Sequence, residues 1–425
     1  MTILSLVFLA SCFPNREIEK TEKSLNFARI SENGKAASHQ IVANLKSDSL
    51  TEITAQSTVF DDVSLNLDNP RSELLTDTAK LLAGMNISDR SELALLKDTH
   101  LWADYRVFFS SIWSQLEKQK LSPIRQWSQK ELTKINLENF SVFYPFSKAN
   151  FLQVYSLFPQ AKEYILISLE PVGNVPDLAY LSTDKLEQEF QKIKTYLDNI
   201  FPVNDLLFSE KERENIKRFL DTPPSEIDRL ATLQALPVLY IFLAKTNNRI
   251  INVEYIGLDS QGQIKKFQPG MISGVKITFI TQGSSESRTL YYFSADLSNE
   301  SLETNLELLE FLKQRDRPIT YLEKAAYLMY FDSFSQIKDL ILSRSSYLLQ
   351  NDSGIPVNVF ESARWNLKFY GNYTRPIDLF KNKYQPELWN IYHSQNNIKP
   401  LTFSSGYQSQ VDKSNLMLAE NKLKL

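Results

Sequence analysis

The run from Phe140 to Gly173 limits the fold more than any other part of this chain. Ser141–Phe146 (SVFYPF) is rich in Val and aromatic residues, which predicts a strand. Asn150–Phe158 carries Phe151, Val154, Tyr155 and Phe158 on one side and stops at Pro159, which predicts a short helix. Glu163–Leu169 (EYILISL) is a nearly unbroken apolar run, as expected of a strand buried on both faces. The 16 residues from Ser147 to Lys162 suffice for a crossover between parallel strands. Such a crossover is right-handed. A strand–helix–strand unit commits the chain to a sheet with helices packed against it.

The rest of the chain alternates in kind. Helices are expected at Arg71–Ala83, Leu101–Lys118, from Ser122-Pro123 onward, Asp184–Phe201, Lys211–Leu220 and Glu226–Lys245. More are expected at Ser301–Gln314, Thr320–Phe331, Phe334–Leu349 and Gln385–His393. Strands are expected at Arg249–Leu258, Gln263–Phe267 and Trp365–Tyr370, with Gly274–Thr281 and Arg288–Ala295 forming a hairpin. Leu416–Ala419 is a final apolar piece. The stripe Leu101, Tyr105, Phe108, Phe109, Ile112, Trp113, Leu116 has helical spacing and reads as core. The expected class is α/β or α+β. Its mixed sheet holds the βαβ unit and the later hairpin, covered by many helices, in one large domain over 48–425.

Composition removes several function classes. The net charge of −3 argues against a nucleic-acid binder, which needs a basic face. The three histidines, His39, His100 and His393, lie far apart and in no ligand spacing, so no metal is expected. With 11 glycines, no Gly-rich phosphate loop and no Gly-x-Ser-x-Gly elbow, no cofactor is expected either. The longest later apolar run, Ala235–Ala244, is too short to span a bilayer and contains Pro237.

The N-terminus carries an address. An apolar run, Ile3–Ala10, leads into Leu9-Ala10-Ser11-Cys12, and Cys12 is the only cysteine. This resembles the lipobox of bacterial lipoproteins, although no Lys or Arg precedes the apolar run. The resemblance implies that residues 1–11 are a signal peptide and that the Cys12 thiol receives lipid. Residues 12–47 are then a lipidated cysteine and a polar tether. The membrane is thus an expected partner, reached through the N-terminal lipid at the bacterial cell envelope. Phe13, rather than an aspartate, follows the cysteine, which leans toward an outer membrane in a Gram-negative envelope.

Several further motifs stand out. They are Tyr144-Pro145-Phe146-Ser147, Phe158-Pro159, Leu169-Glu170-Pro171-Val172-Gly173, Tyr292–Ser298 (YFSADLS), Ala325–Met329 (AAYLM) and Leu349–Pro356 (LQNDSGIP). Together they resemble a family of uncharacterised bacterial secreted or lipid-anchored proteins with a YPFSGPDF…FFP…LEPVG pattern. The likeness spans roughly residues 70–425 and implies no activity. Lys148, Ala149 and Asn150 stand where that pattern has Gly-Pro-Asp.

Ligands of open α/β sheets sit outside the carboxyl ends of the strands. The candidate crevice therefore comprises Tyr144, Ser147, Lys148, Glu170 and Asp296. Against it stands an architectural reading, in which Ser147 and Asp296 cap helices and Glu170 bonds turn amides. Two functions follow as expectations. One is a non-enzymatic envelope protein binding a protein or glycan partner. The other is a hydrolase of an envelope glycan or ester, using Glu170 and Asp296 as paired carboxylates.

Overall fold

The computed structural model describes residues 69–137, 140–146, 150–200, 234–315 and 317–424. Cys12, the signal peptide, the tether, residues 48–67, Ser147, Lys148 and the expected helix at Lys211–Leu220 lie outside the described residues. Among the described residues there are ten α-helices and one ten-stranded mixed sheet, so the class is α/β with antiparallel flanks.

The strands are β1 (Ser141–Pro145), β2 (Glu163–Ser168), β3 (Asn248–Leu258), β4 (Ile264–Lys266), β5 (Ser273–Thr281), β6 (Ser287–Ser294), β7 (Ile319–Leu322), β8 (Tyr347–Gln350), β9 (Trp365–Gly371) and β10 (Asn415–Asn421). Their order is β4-β3-β5-β6-β2-β1-β7-β8-β10-β9. The five central strands, β6-β2-β1-β7-β8, are mutually parallel. The βαβ unit and the β5–β6 hairpin share this sheet, joined by β2 pairing with β6.

From β1 the chain steps outward through β2 toward β6, then returns to the other flank of β1 for β7 and β8. That is a doubly wound order, with its reversal between β1 and β7. Helix α4 (Phe151–Leu157) makes the first crossover, between β1 and β2. Helices α7 (Asn299–Thr304) and α8 (Leu306–Lys313) make the long return, and α9 (Ser335–Arg344) joins β7 to β8.

Strand alternation sorts the two faces. Val142, Tyr144, Tyr164, Leu166, Leu290, Tyr292, Ile319 and Tyr321 share one core with α1 (Pro70–Leu82), α2 (His100–Leu116), α3 (Ser122–Glu131), α4, α5 (Thr183–Ile200) and α6 (Ala235–Lys245). On the opposite face Phe311 of α8 packs edge-on to Tyr291 and Phe293, at 5.6 and 5.0 Å between centroids. Both faces are covered, so the central strands read as apolar runs rather than alternating ones. The aromatic stripe on α2 does pack as core: Tyr105 stacks on Phe190 of α5 at 4.2 Å.

Both flanks of the sheet are partly covered. Strand β4 is only three residues long and covers one end of β3. Nearer the other end α1 supplies hydroxyls: Ser72 Oγ donates to the Ile250 carbonyl at 2.8 Å, and Thr76 Oγ1 accepts the Ile250 N–H at 3.1 Å. At the other flank, β9 carries Asn366 and Lys368, both bonded to Glu420, and Gly371 N–H donates to the Lys399 carbonyl at 2.7 Å. Helix α10 (Pro386–Ser394) packs there, Tyr392 Oη donating to the carbonyls of Tyr370 and Leu416.

Two expectations need correction. Thr320–Phe331 is not a helix: it begins as β7 and continues through residues that no helix accommodates. Lys324, Ala326 and Tyr327 have φ of 54°, 51° and 57°. Phe334–Leu349 is helical only to Arg344, after which the chain enters β8. Each strand is four residues long and wholly buried (ITYL and YLLQ). A short apolar run of that kind has no period to separate strand from helix. A smaller correction concerns Ser301–Gln314, which is two helices, α7 and α8, divided at Asn305 with φ −130°.

A candidate site at the carboxyl edge

The two ends of the parallel strands differ in chemistry. At the amino end, Arg315 pairs with Glu163 at 3.2 Å and lies over the Phe311 ring at 3.5 Å. Ser141 Oγ also donates to Glu163, at 2.8 Å. The Arg315–Glu163 pair ties β2 to the segment that follows α8.

The carboxyl end collects five of the six distinctive segments; Phe158-Pro159 instead lies between α4 and the start of β2. Tyr144-Pro145-Phe146 ends β1, Leu169–Gly173 follows β2, and Tyr292–Ser298 ends β6. Ala325–Met329 follows β7, and Leu349–Pro356 ends β8. Left-handed backbone gathers there too. Of the six non-glycine residues with positive φ among the described residues, Phe146, Lys324, Ala326 and Tyr327 lie just past β1 or β7. Each such residue costs on the order of 1–3 kcal/mol, and such strain concentrates at functional sites.

The expected site residues are placed as follows. Tyr144 is 2% exposed, so its ring belongs to the core rather than to an open crevice. It packs against Tyr321 at 4.9 Å. Glu170 and Asp296 each stand two residues beyond the register pair Ser168↔Ser294, past the ends of neighbouring strands. Both make local bonds. Glu170 Oε2 accepts from Ser168 Oγ at 3.2 Å, and its carbonyl accepts from Tyr292 Oη at 2.7 Å. Asp296 Oδ1 accepts the Ser298 N–H at 2.8 Å, and Ser298 in turn caps α7.

The LEPVG turn also has a packing role. The carbonyls of Pro171 and Val172 accept the N–H groups of Ala235 and Leu236, the first two residues of α6. Those amides have no partner within a helix. Gly173 has φ +71°, and a Cβ there would lie 2.0 Å from Gln234 Oε1. This turn therefore holds α6 on the sheet, whatever else Glu170 does.

The residues that sequence reasoning missed lie at the point of reversal. Glu323 follows β7 and is 1% exposed. Its Oε1 accepts the Gly406 N–H at 2.9 Å. Tyr321 reaches the same spot and accepts from Gln153 Nε2 of α4 at 2.7 Å. Burial pushes the Tyr144 and Tyr321 phenols well above their usual range, and the Glu323 charge adds to the push. One strand further on, Asp352 Oδ2 accepts from Tyr327 Oη, while Oδ1 accepts from Asn351 and Asn415, each at 3.1 Å. Beside it, a cavity of about 10 Å³ among Gln350, Asn351, Gln385 and Asn415 has room for one water. The only hint in the sequence was the polar LQNDSGIP segment, which reads as an ordinary turn.

Burial pushes the Asp352 carboxyl up, and its three donors only partly oppose this. A carboxyl raised in the native state binds its proton more tightly there than in the unfolded chain. Its contribution to stability is then present at acid pH and is lost as pH rises from about 3.9, the unfolded value, through the raised native one. Asp352→Asn is expected to flatten that fall, measured as urea midpoints from pH 4 to 7. An unchanged slope would count against the buried carboxyl as its source.

Comparison with family profiles, curated proteins and solved structures finds no match for this chain. Among the described residues, no cluster of three His, Cys, Asp or Glu side chains could hold a metal. No helix among them is long and apolar enough to cross a membrane.

Proposed function

We propose that this chain is a lipid-anchored protein of the bacterial envelope whose folded body binds a hydroxyl-rich ligand at the carboxyl edge of its parallel strands. The lipobox-like Leu9–Cys12 supports the anchor. One observation carries the binding: five of the six segments singled out by sequence converge on the edge where doubly wound sheets hold ligands.

The edge also favours a ligand class. An acidic residue after the second strand of such a core accepts hydrogen bonds from vicinal hydroxyls of a sugar or ribose. Glu170 stands at that position after β2. The sequence that follows β1, Phe146–Asn150, contains no glycine, which disfavours the close backbone approach that a pyrophosphate needs. A glycan fragment or a nucleoside without a pyrophosphate fits both facts. The placement of Glu170 and Asp296 just past neighbouring strand ends keeps a second reading, hydrolysis of an envelope glycan or ester.

The test titrates the full-length, detergent-solubilised protein with N-acetylglucosamine oligomers, adenosine and S-adenosylmethionine by calorimetry. Binding by one class is expected. Glu170→Gln removes a charge-assisted hydrogen bond of about 1.5–3 kcal/mol, a loss of roughly 10- to 150-fold in affinity. Its melting temperature should stay unchanged. Absence of heat with every probe, or binding indifferent to Glu170→Gln, would refute the assignment. Chain cleavage of the oligomers, abolished by Asp296→Asn, would establish the hydrolase instead.

A further inference from the structure

The reversal point between β1 and β7 is already occupied by the chain itself. Leu401 and Phe403 are 5% and 1% exposed, and Phe403 meets the Trp127 ring edge-on at 5.8 Å. Beyond these anchors the backbone runs over the end of β7. Gly406 N–H donates to Glu323 Oε1 at 2.9 Å, and Tyr407 Oη donates to the Lys324 carbonyl at 2.8 Å. One short segment thus engages both the acidic side chain and the strained backbone that follow the strand.

The approach depends on glycine. Gly406 has φ +66°, and a Cβ there would lie 1.9 Å from Asn351 Nδ2. Beside it, Ser405 is 2% exposed, and its Oγ has no hydrogen-bond partner among the described residues. A buried hydroxyl without a partner is uncommon in a finished core and weakens the docking of the segment that carries it. Beneath the segment, Lys324, Ala326 and Tyr327 hold left-handed backbone that side chains disfavour.

We propose that residues 404–407 form a strap that fills the ligand position at this edge and withdraws when a ligand enters. The Gly406 amide stands where a ligand donor would meet Glu323, and Ser405 Oγ, unsatisfied while the strap is docked, reaches water once it moves. The inference rests on the carboxyl edge being the binding face, but its test does not need a known ligand.

Hydrogen-exchange mass spectrometry on the full-length protein reads the strap directly. The amides of Ser405, Gly406 and Tyr407 are expected to exchange at least about 100-fold faster than those of β7 and β8, by local opening. Gly406→Ala should speed residues 404–407 by a further tenfold or so while β1 and β2 keep their protection. Tyr407→Phe is the gentler variant, deleting one hydrogen bond, and should accelerate the same amides about fivefold. Exchange of 404–407 in step with β7 and β8, in the wild type and in Tyr407→Phe, would make the segment a fixed part of the core and overturn the strap. So would a probe that binds through Glu170 and leaves 404–407 more protected than before. Failure of every probe to bind, with fast local opening retained, would sink the ligand class but not the strap.

Discussion

Cys12→Ser is expected to move the protein from the membrane pellet to the soluble fraction almost completely. Each buried methylene contributes about 0.8 kcal/mol, so one acyl chain holds only marginally and two or more hold stably. Removing the thiol removes every chain attached through it. With no cysteine elsewhere, no alternative thioether can form. The measurement is fractionation with immunoblotting, paired with intact-mass analysis of the purified chain. A wild-type protein that begins at Met1, carries no lipid and partitions like Cys12→Ser would end the envelope assignment.

Phe151→Ala is expected to cost about 3–5 kcal/mol of stability, among the largest effects of any single truncation in this core. Phe151 is 0% exposed and opens α4. Its ring lies 5.1 Å from Tyr155, 5.1 Å from Tyr164 of β2 and 6.0 Å from Phe279 of β5. The crossover helix is thereby tied to a parallel strand and an antiparallel one at once. Domains keep only about 5–15 kcal/mol in total, so this loss is a large share. Urea unfolding at constant m-value is the measurement. Phe267→Ala, at a ring 37% exposed, serves as the control and should shift stability by less than about 0.5 kcal/mol. Equal effects at both sites would show that the aromatic cluster does not organise the crossover.

Much of the core was legible in the sequence. The α2 stripe was readable from spacing, the β5–β6 hairpin and β1 from their Val- and aromatic-rich composition, and β2 from an apolar run set off from the preceding helix by Pro159. Strands β7 and β8 were not, and the reason is physical. Between covered faces a strand needs no alternation, and four buried residues next to helical stretches look like more helix. The same gap hid the site. Glu323 and Asp352 acquire meaning only once β7 and β8 are known to be neighbouring parallel strands beside β1. Glu170 and Asp296 were legible because β2 and β6 were. What no periodicity reveals is a contact such as Gly406 with Glu323, 83 residues apart in the chain.

On the proposed lipid anchor, the partly covered flanks of the sheet have a further consequence. Proteins tethered to one leaflet meet far more often than the same number dispersed in a volume, and an open strand would invite them to polymerise. Here the hydroxyls of Ser72 and Thr76 already satisfy the outer backbone of β3 at Ile250, and Lys368 makes the far border charged. Replacing both α1 hydroxyls would leave that backbone unsatisfied, and a crowded lipid film is where the resulting filaments would first form.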